Sequence, residues 1–254
     1  MADRSPQRLD TGDARPFAAP ISPSAPSSGL AACLQVTLML MRDRKSFVAE
    51  IGHAKQLPHK IVGLLVCGAI LLAVYGLVLG AVHSPVQSIV SAIKLPILFF
   101  LTSIVCFPTL YIFNSFIGSR QSFLQYCTLV LASIDIISLL MLGFFPVSLF
   151  FLLTLDDAAF FTLLNIAIVG LTGTIGTLFL CGSIMDLETR ARARFRRPLF
   201  LASWFALYSA IGCQLAWHLS PFFGTPGEPF VLLGDGSGNF FLAILELLAG
   251  GPTQ

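Results

Sequence analysis

Long apolar runs alternate with short polar loops along this chain, and no run carries a lysine or arginine inside it. Uncharged stretches of about 18 residues or more are the mark of membrane-spanning helices. The first span is predicted at 61–82 and the second at 95–118. Pro96 falls acceptably in the first turn of that second span, whereas Pro108 near its middle predicts a kink. The next apolar run, 122–155, would reach roughly 50 Å as one helix, too long for a single crossing. Gly143 and Pro146 offer a break, which places the third span at 122–145 and leaves 146–155 as a short apolar segment at the membrane surface. Asp156 and Asp157 precede the fourth span, 158–185, where carboxylates cap free backbone N–H groups. The fifth span is predicted at 199–219.

The flanking regions follow different patterns. Residues 1–28 are rich in Pro, Ser, Ala and Arg and have too little apolar surface to fold alone. Leu30-Ala31-Ala32-Cys33 resembles a lipoprotein cleavage box, but Pro and Ser precede it where a signal needs an apolar run. In 29–57, Leu30, Leu34, Leu38, Met41, Val48 and Ile51 fall roughly on one helical face. Their apolar stretch is too short to cross a bilayer, so the expectation is an amphipathic helix on the membrane surface or against the bundle. After the five-span bundle, 58–220, the prolines and glycines from Pro221 to Pro229 end any helix. The remainder, 221–254, is expected to form an outer loop with a short re-docking helix.

Composition agrees with this layout. The 254 residues are 56% hydrophobic and 11% charged, with a mean hydropathy of +0.84; soluble domains carry about 25% charged residues. The fold class is therefore an all-α polytopic bundle of five transmembrane helices. Charge sets its orientation. With the amino terminus in the cytoplasm, 14 of the 15 Lys and Arg residues lie inside and Lys94 alone lies outside, as the positive-inside rule requires. The carboxyl terminus is then outside, and a bacterial inner membrane is the expected location. The six cysteines form no Cys-x-x-Cys pair and read as small buried hydrophobes.

Candidate chemistry is sparse. Asp135 is the only carboxylate inside a span, near mid-membrane, where an ionised Asp costs about 2.5–3.5 kcal/mol. It reads either as a proton, cation or pore site or as a neutral group bonded to Thr172, Thr174 or Ser209. Asn165 and Gln214 are amides that glue helices together or line a path. Gly170, Gly173 and Gly176 recur every third residue beside threonines, a pattern for close helix approach or a polar stripe. Arg190, Arg192, Arg194, Arg196 and Arg197 anchor the topology and suit anionic lipid headgroups. Gly234 to Asn239 looks like a phosphate loop but lacks the lysine. No catalytic, metal, cofactor or nucleic-acid signature appears.

Two segments look familiar: Lys94-Leu95-Pro96 through Phe107-Pro108-Thr109-Leu110-Tyr111-Ile112-Phe113-Asn114, and Trp204 to Phe240 with Gly212-x-Gln214-x-x-Trp217, Pro221-Phe222 and Gly224-x-Pro226. Together they resemble a family of bacterial polytopic membrane proteins with no assigned activity, over roughly 47–240. The five-span layout with a cytoplasmic tail is also similar to the Yip family of membrane-trafficking proteins. Neither likeness implies a site. The expected function is a non-enzymatic integral membrane subunit that assembles with itself or other membrane proteins. The alternative is a homo-oligomeric small-ion or small-solute channel or transporter using Asp135. The bilayer is a partner in both.

The charge pattern makes a direct prediction. A cysteine at Arg120 is expected to react with an impermeant thiol reagent only from the cytoplasmic side, and one at Ser84 only from outside. The reverse labelling contradicts the orientation.

Overall fold

The computed structural model of the protein describes residues 29–81, 85–154, 158–187 and 197–219. They form seven helices: α1 (Leu30–Arg42), α2 (Arg44–Gly52), α3 (Leu57–Ala81), α4 (Pro85–Phe116), α5 (Phe123–Thr154), α6 (Ala158–Leu187) and α7 (Arg197–Leu219). No strand occurs among the described residues. Five helices, α3 to α7, are long and apolar enough to cross a membrane, and the chain is an all-helical integral membrane protein. Helices satisfy every backbone N–H and C=O within the segment, which lipid demands.

Two spans are longer than the sequence pattern predicts. α5 runs unbroken through Gly143 and Pro146 to Thr154, so residues 146–154 continue the third span instead of lying apart from it. A proline removes one backbone hydrogen bond, a loss that neighbouring helices and local adjustment absorb. At 32 residues, α5 is about 48 Å long and must tilt or project beyond a bilayer core of about 30 Å. α4 begins at Pro85, ten residues before the predicted start, and holds both Pro96 and Pro108. Pro85 occupies the first helical position, where its missing N–H costs nothing. Lys94, expected in an outer loop, therefore lies within α4 and is only 6% exposed. Asp156, Asp157, the tail 1–28 and the segment 221–254 lie outside the described residues.

In cross-section the spans follow the order α3, α4, α7, α6, α5. α3 packs along both α4 and α5, α5 packs on α6, and α7 packs on α4. Only the α6–α7 contact is slight, so the ring is open there. Glycines set the tightest contact. A Cβ at Gly76 would stand 2.6 Å from the Ser91 carbonyl oxygen, and one at Gly80 would stand 2.6 Å from the Ser88 Cα. The backbones of α3 and α4 meet directly through a Gly-x-x-x-Gly pair, the arrangement that lets membrane helices gain close packing. On the other side of the ring, Trp204 Nε1 donates to the Cys106 carbonyl at 3.2 Å and Phe200 stacks on Phe113, fixing α7 to α4.

α1 and α2 break at Asp43, whose carboxylate accepts from the backbone N–H of Lys45 and Ser46 and from the Ser46 hydroxyl. This is an N-cap. The Ser46 hydrogen bonds hold the Asp43 carboxyl below its ordinary range, so the junction holds at neutral pH and loosens only as pH falls through that lowered value. The break separates the expected apolar face. Val48 and Ile51 of α2 are buried, but Leu30, Leu34, Leu38 and Met41 of α1 point outward, with Leu38 61% exposed. Ala32, Val36, Thr37 and Leu40 face the bundle instead. Lys60 Nζ, over the Phe47 ring, pairs with Glu50 at 2.6 Å. Gln125 Nε2 donates to the last carbonyls of α2, Ile51 and Gly52, at 2.8 and 2.9 Å. Its Oε1 accepts from Ser122 N while its own N–H reaches Ser122 Oγ, a capping box at the start of α5.

The glycine contact predicts a graded effect. Gly80→Ala overpacks the α3–α4 seam and is expected to cost about 1–3 kcal/mol, read as a lower unfolding midpoint in detergent. Gly143→Ala, with open space around it, is expected to be neutral or slightly stabilising. Equal midpoints for the two variants contradict the seam.

Candidate functional site: a buried carboxylate and an open cleft

Asp135 sits in the middle of α5 with no exposed surface. α3 passes beside it at Gly68: a Cβ there would lie 3.7 Å from Asp135 Oδ1 and 3.8 Å from its Cα, in ordinary van der Waals contact. α1 packs on α3 and also touches α5, bringing the buried Thr37 hydroxyl within reach of both Asp135 and Cys67. Among the described residues neither carboxylate oxygen completes a hydrogen bond, and neither does the Thr37 hydroxyl. The nearby helices supply no cation either. Arg44 pairs with Asp186 and Lys60 with Glu50. Buried polar groups are almost always bonded, so this carboxyl group, like Asn114 Oδ1, is an exception among the described residues.

The partners expected for Asp135 are occupied elsewhere. Thr172 Oγ1 donates to the Ile168 carbonyl at 2.8 Å and Thr174 Oγ1 to the Gly170 carbonyl at 2.7 Å, both within α6. Ser209 lines a cleft on the α7 side. The physical reason is helix rotation: Asp135 turns toward α3 and α1, away from the side on which α6 meets α7. Thr37 and Gly68 were not singled out in the sequence, because α1 read as a surface helix and a single threonine in it carried no signal.

Asn165 belongs to a separate polar knot. Tyr75 Oη donates to Asn165 Oδ1 at 2.7 Å and lies 2.9 Å from Ser148 Oγ. Asn165 Nδ2 donates to the Phe161 carbonyl at 2.8 Å. All three side chains are buried, so the knot joins α3, α5 and α6. Tyr75 and Ser148 also went unnoticed in the sequence, although a tyrosine inside an apolar span is itself a cue for a buried partner.

The Gly/Thr face of α6 divides. Gly176 is packed, its Cβ position meeting Ile137 and lying 3.0 Å from the Ser133 carbonyl oxygen. Gly170 and Gly173 have nothing within 4 Å of theirs. They line a cleft of about 210 Å³ between α4, α6 and α7, together with Thr102, Thr174, Tyr208 and Gly212. Its surface is overwhelmingly apolar. Asp135 does not line it, so the structure does not bring the carboxylate and these two glycines into one site. Gln214 lies 3.5 Å from His218 one turn along α7. Arg190, Arg192, Arg194 and Arg196 lie outside the described residues, and Arg197 opens α7. All six cysteines are free, and no metal-binding group of three or more His, Cys, Asp or Glu side chains forms among the described residues.

The polar knot yields a prediction. Asn165→Leu removes the acceptor that the Tyr75 and Ser148 hydroxyls share and is expected to destabilise the protein by about 0.6–2 kcal/mol, read by SDS-titrated unfolding in mixed micelles. In the Tyr75→Phe background the same change is expected to cost less. Additive costs contradict the shared bond.

Comparison with known proteins gives no match to a family model, to a curated protein or to a solved structure, so no role is carried to these residues from a relative.

Proposed function

We propose that this protein is a non-enzymatic subunit of a membrane complex, assembling with itself or with other membrane proteins through the cleft between α6 and α7. One observation carries the reading. The helix ring is tightly packed on every side except this one, where Gly170 and Gly173 stand open on an apolar surface. In lipid no hydrophobic force drives helices together, and small residues that admit a close neighbour take its place. Filling such a cleft with a transmembrane helix gains packing that lipid chains match less well. The positive-inside count supports a cytoplasmic α2 end of the bundle, and the membrane of this reading is a bacterial inner membrane. The arginine-rich sequence before α7 carries positive charge that suits anionic headgroups on that side. A second reading, passage of a small ion or solute past Asp135, has the unpartnered carboxylate in its favour.

The assembly reading is tested with Thr174→Cys, which places a thiol in the cleft, after Cys181 and Cys213 are changed to Ser. A short bis-maleimide applied to native membranes is expected to yield a discrete product heavier than the single chain. Adding Gly170→Leu and Gly173→Leu, which fill the cleft, is expected to remove that product without lowering accumulation. An absent product, or one that survives the filling, contradicts the reading.

A further inference from the structure

We propose that Asp135, with Thr37 and Cys67 around it, is a proton-binding site, and that α1 is its removable cover. The proposal does not depend on the assembly reading, because the site and the cleft lie on different sides of α5 and α6.

Three observations on the geometry support it. First, the carboxyl group is sealed, 0% exposed, and both of its oxygens lack a hydrogen-bond partner among the described residues. It lies about 18 Å along α5 from Phe123, the depth of a bilayer centre. The Thr37 hydroxyl is within reach but no cation is paired with the group, and an ionised carboxylate is costly in such a place, so the closed arrangement suits the carboxylic acid. Second, the surroundings leave the group's charge uncompensated from every packed helix. α1 presents Thr37 and Cys33, and α3 presents Cys67 and Gly68. Among the described residues Lys94 of α4 forms no ion pair with Asp135, and Asp186 of α6 is paired with Arg44. In α2, Arg44 and Glu50 are engaged with Asp186 and Lys60. Third, the covering element is built differently from the spans. α1 has 13 residues, about 20 Å, and rests mainly on α3 through Val36 and Cys33 at Gly63. Its opposite face is apolar and exposed, and its link to α2 is the capped break at Asp43. It can therefore lift from α3 without breaking a contact between two transmembrane helices.

The chemistry is one proton transfer. When α1 lifts, water reaches the carboxyl group, the O–H bond breaks, and the proton passes to water, leaving the carboxylate hydrated. Closure requires the proton to return, so low pH favours the closed form and high pH the open one. The carboxylate has no cation paired with it in the closed form and gains hydration in the open form, which fixes that sign.

Buried thiols report the cover. Cys67 beneath α1 is 2% exposed and Cys106 in α4 is 0% exposed, so Cys106 corrects for reagent permeation and for general thiol reactivity. In the full-length protein in lipid vesicles, with a small permeant maleimide and peptide mass spectrometry, the Cys67 to Cys106 labelling ratio is expected to rise severalfold from mildly acidic to alkaline pH. Asp135→Asn, neutral throughout, is expected to give a low, flat ratio. Gly63→Leu, which pushes against Val36 (2.9 Å from the position of a Cβ), is expected to give a high ratio at every pH. A flat ratio in the unaltered protein overturns the proposal, and so does an unchanged rise in Asp135→Asn. An independent reading needs no variant: the infrared band of a protonated carboxyl is expected to vanish in step with the Cys67 ratio, and a band that persists while Cys67 opens overturns it.

Discussion

The glycines of α3 are the constraint on which the rest of this structure depends. Gly63 receives α1, Gly68 receives α5 at Asp135, and Gly76 and Gly80 receive the backbone of α4. One helix thus meets three neighbours at its glycines, and at Gly63, Gly76 and Gly80 a side chain would press on α1 and α4. In lipid the helices gain nothing by hiding apolar surface from one another, so contact area and close approach decide which pairs form. α3 wins that competition, and it stands between α4 and α5 in the ring. α6 is then placed by α5, and α7 by α4 through Trp204 and Phe200. Both outer helices are positioned from the inside, and neither is drawn firmly onto the other. The open side of the bundle follows from where the glycines are.

Polar groups within the bundle sort into two kinds. Most threonines and serines bond a carbonyl of their own helix, as Thr102, Thr172 and Ser183 do, and so cost nothing in lipid. Tyr75, Ser148 and Asn165 bond one another across three helices and add specificity to the packing. Asp135 belongs to neither kind. Its surroundings are closed and uncharged, and the short helix α1 brings Thr37 to it. A membrane protein retains such a group where its protonation does something, which connects the packing of α1 to pH.

Five spans were legible in the sequence because lipid leaves a long apolar run almost no alternative to a helix. The ends were less legible. Gln87, Ser88 and Ser91 read as loop residues, yet they belong to the segment of α4 that lies on Gly76 and Gly80. Pro146 read as a stop, although one lost hydrogen bond does not end a packed helix. Glycine spacing was a weaker guide than it looked. The Gly170, Gly173 and Gly176 pattern drew attention, but only Gly176 meets a neighbour, while the plainer Gly76 and Gly80 pair makes the closest contact. Spacing places residues on a face; it does not say what that face meets. For the same reason the surroundings of Asp135 could not be read from α6 and α7, since they come from α1.

Assembly through the open side is the central functional claim, and it turns on whether the chain exists alone in its membrane. Native mass spectrometry of protein extracted gently into lipid-like particles addresses this directly. The account predicts a stoichiometric assembly, either several copies of the 27.4 kDa chain or this chain with a different polypeptide. A single chain carrying only bound lipid would contradict it.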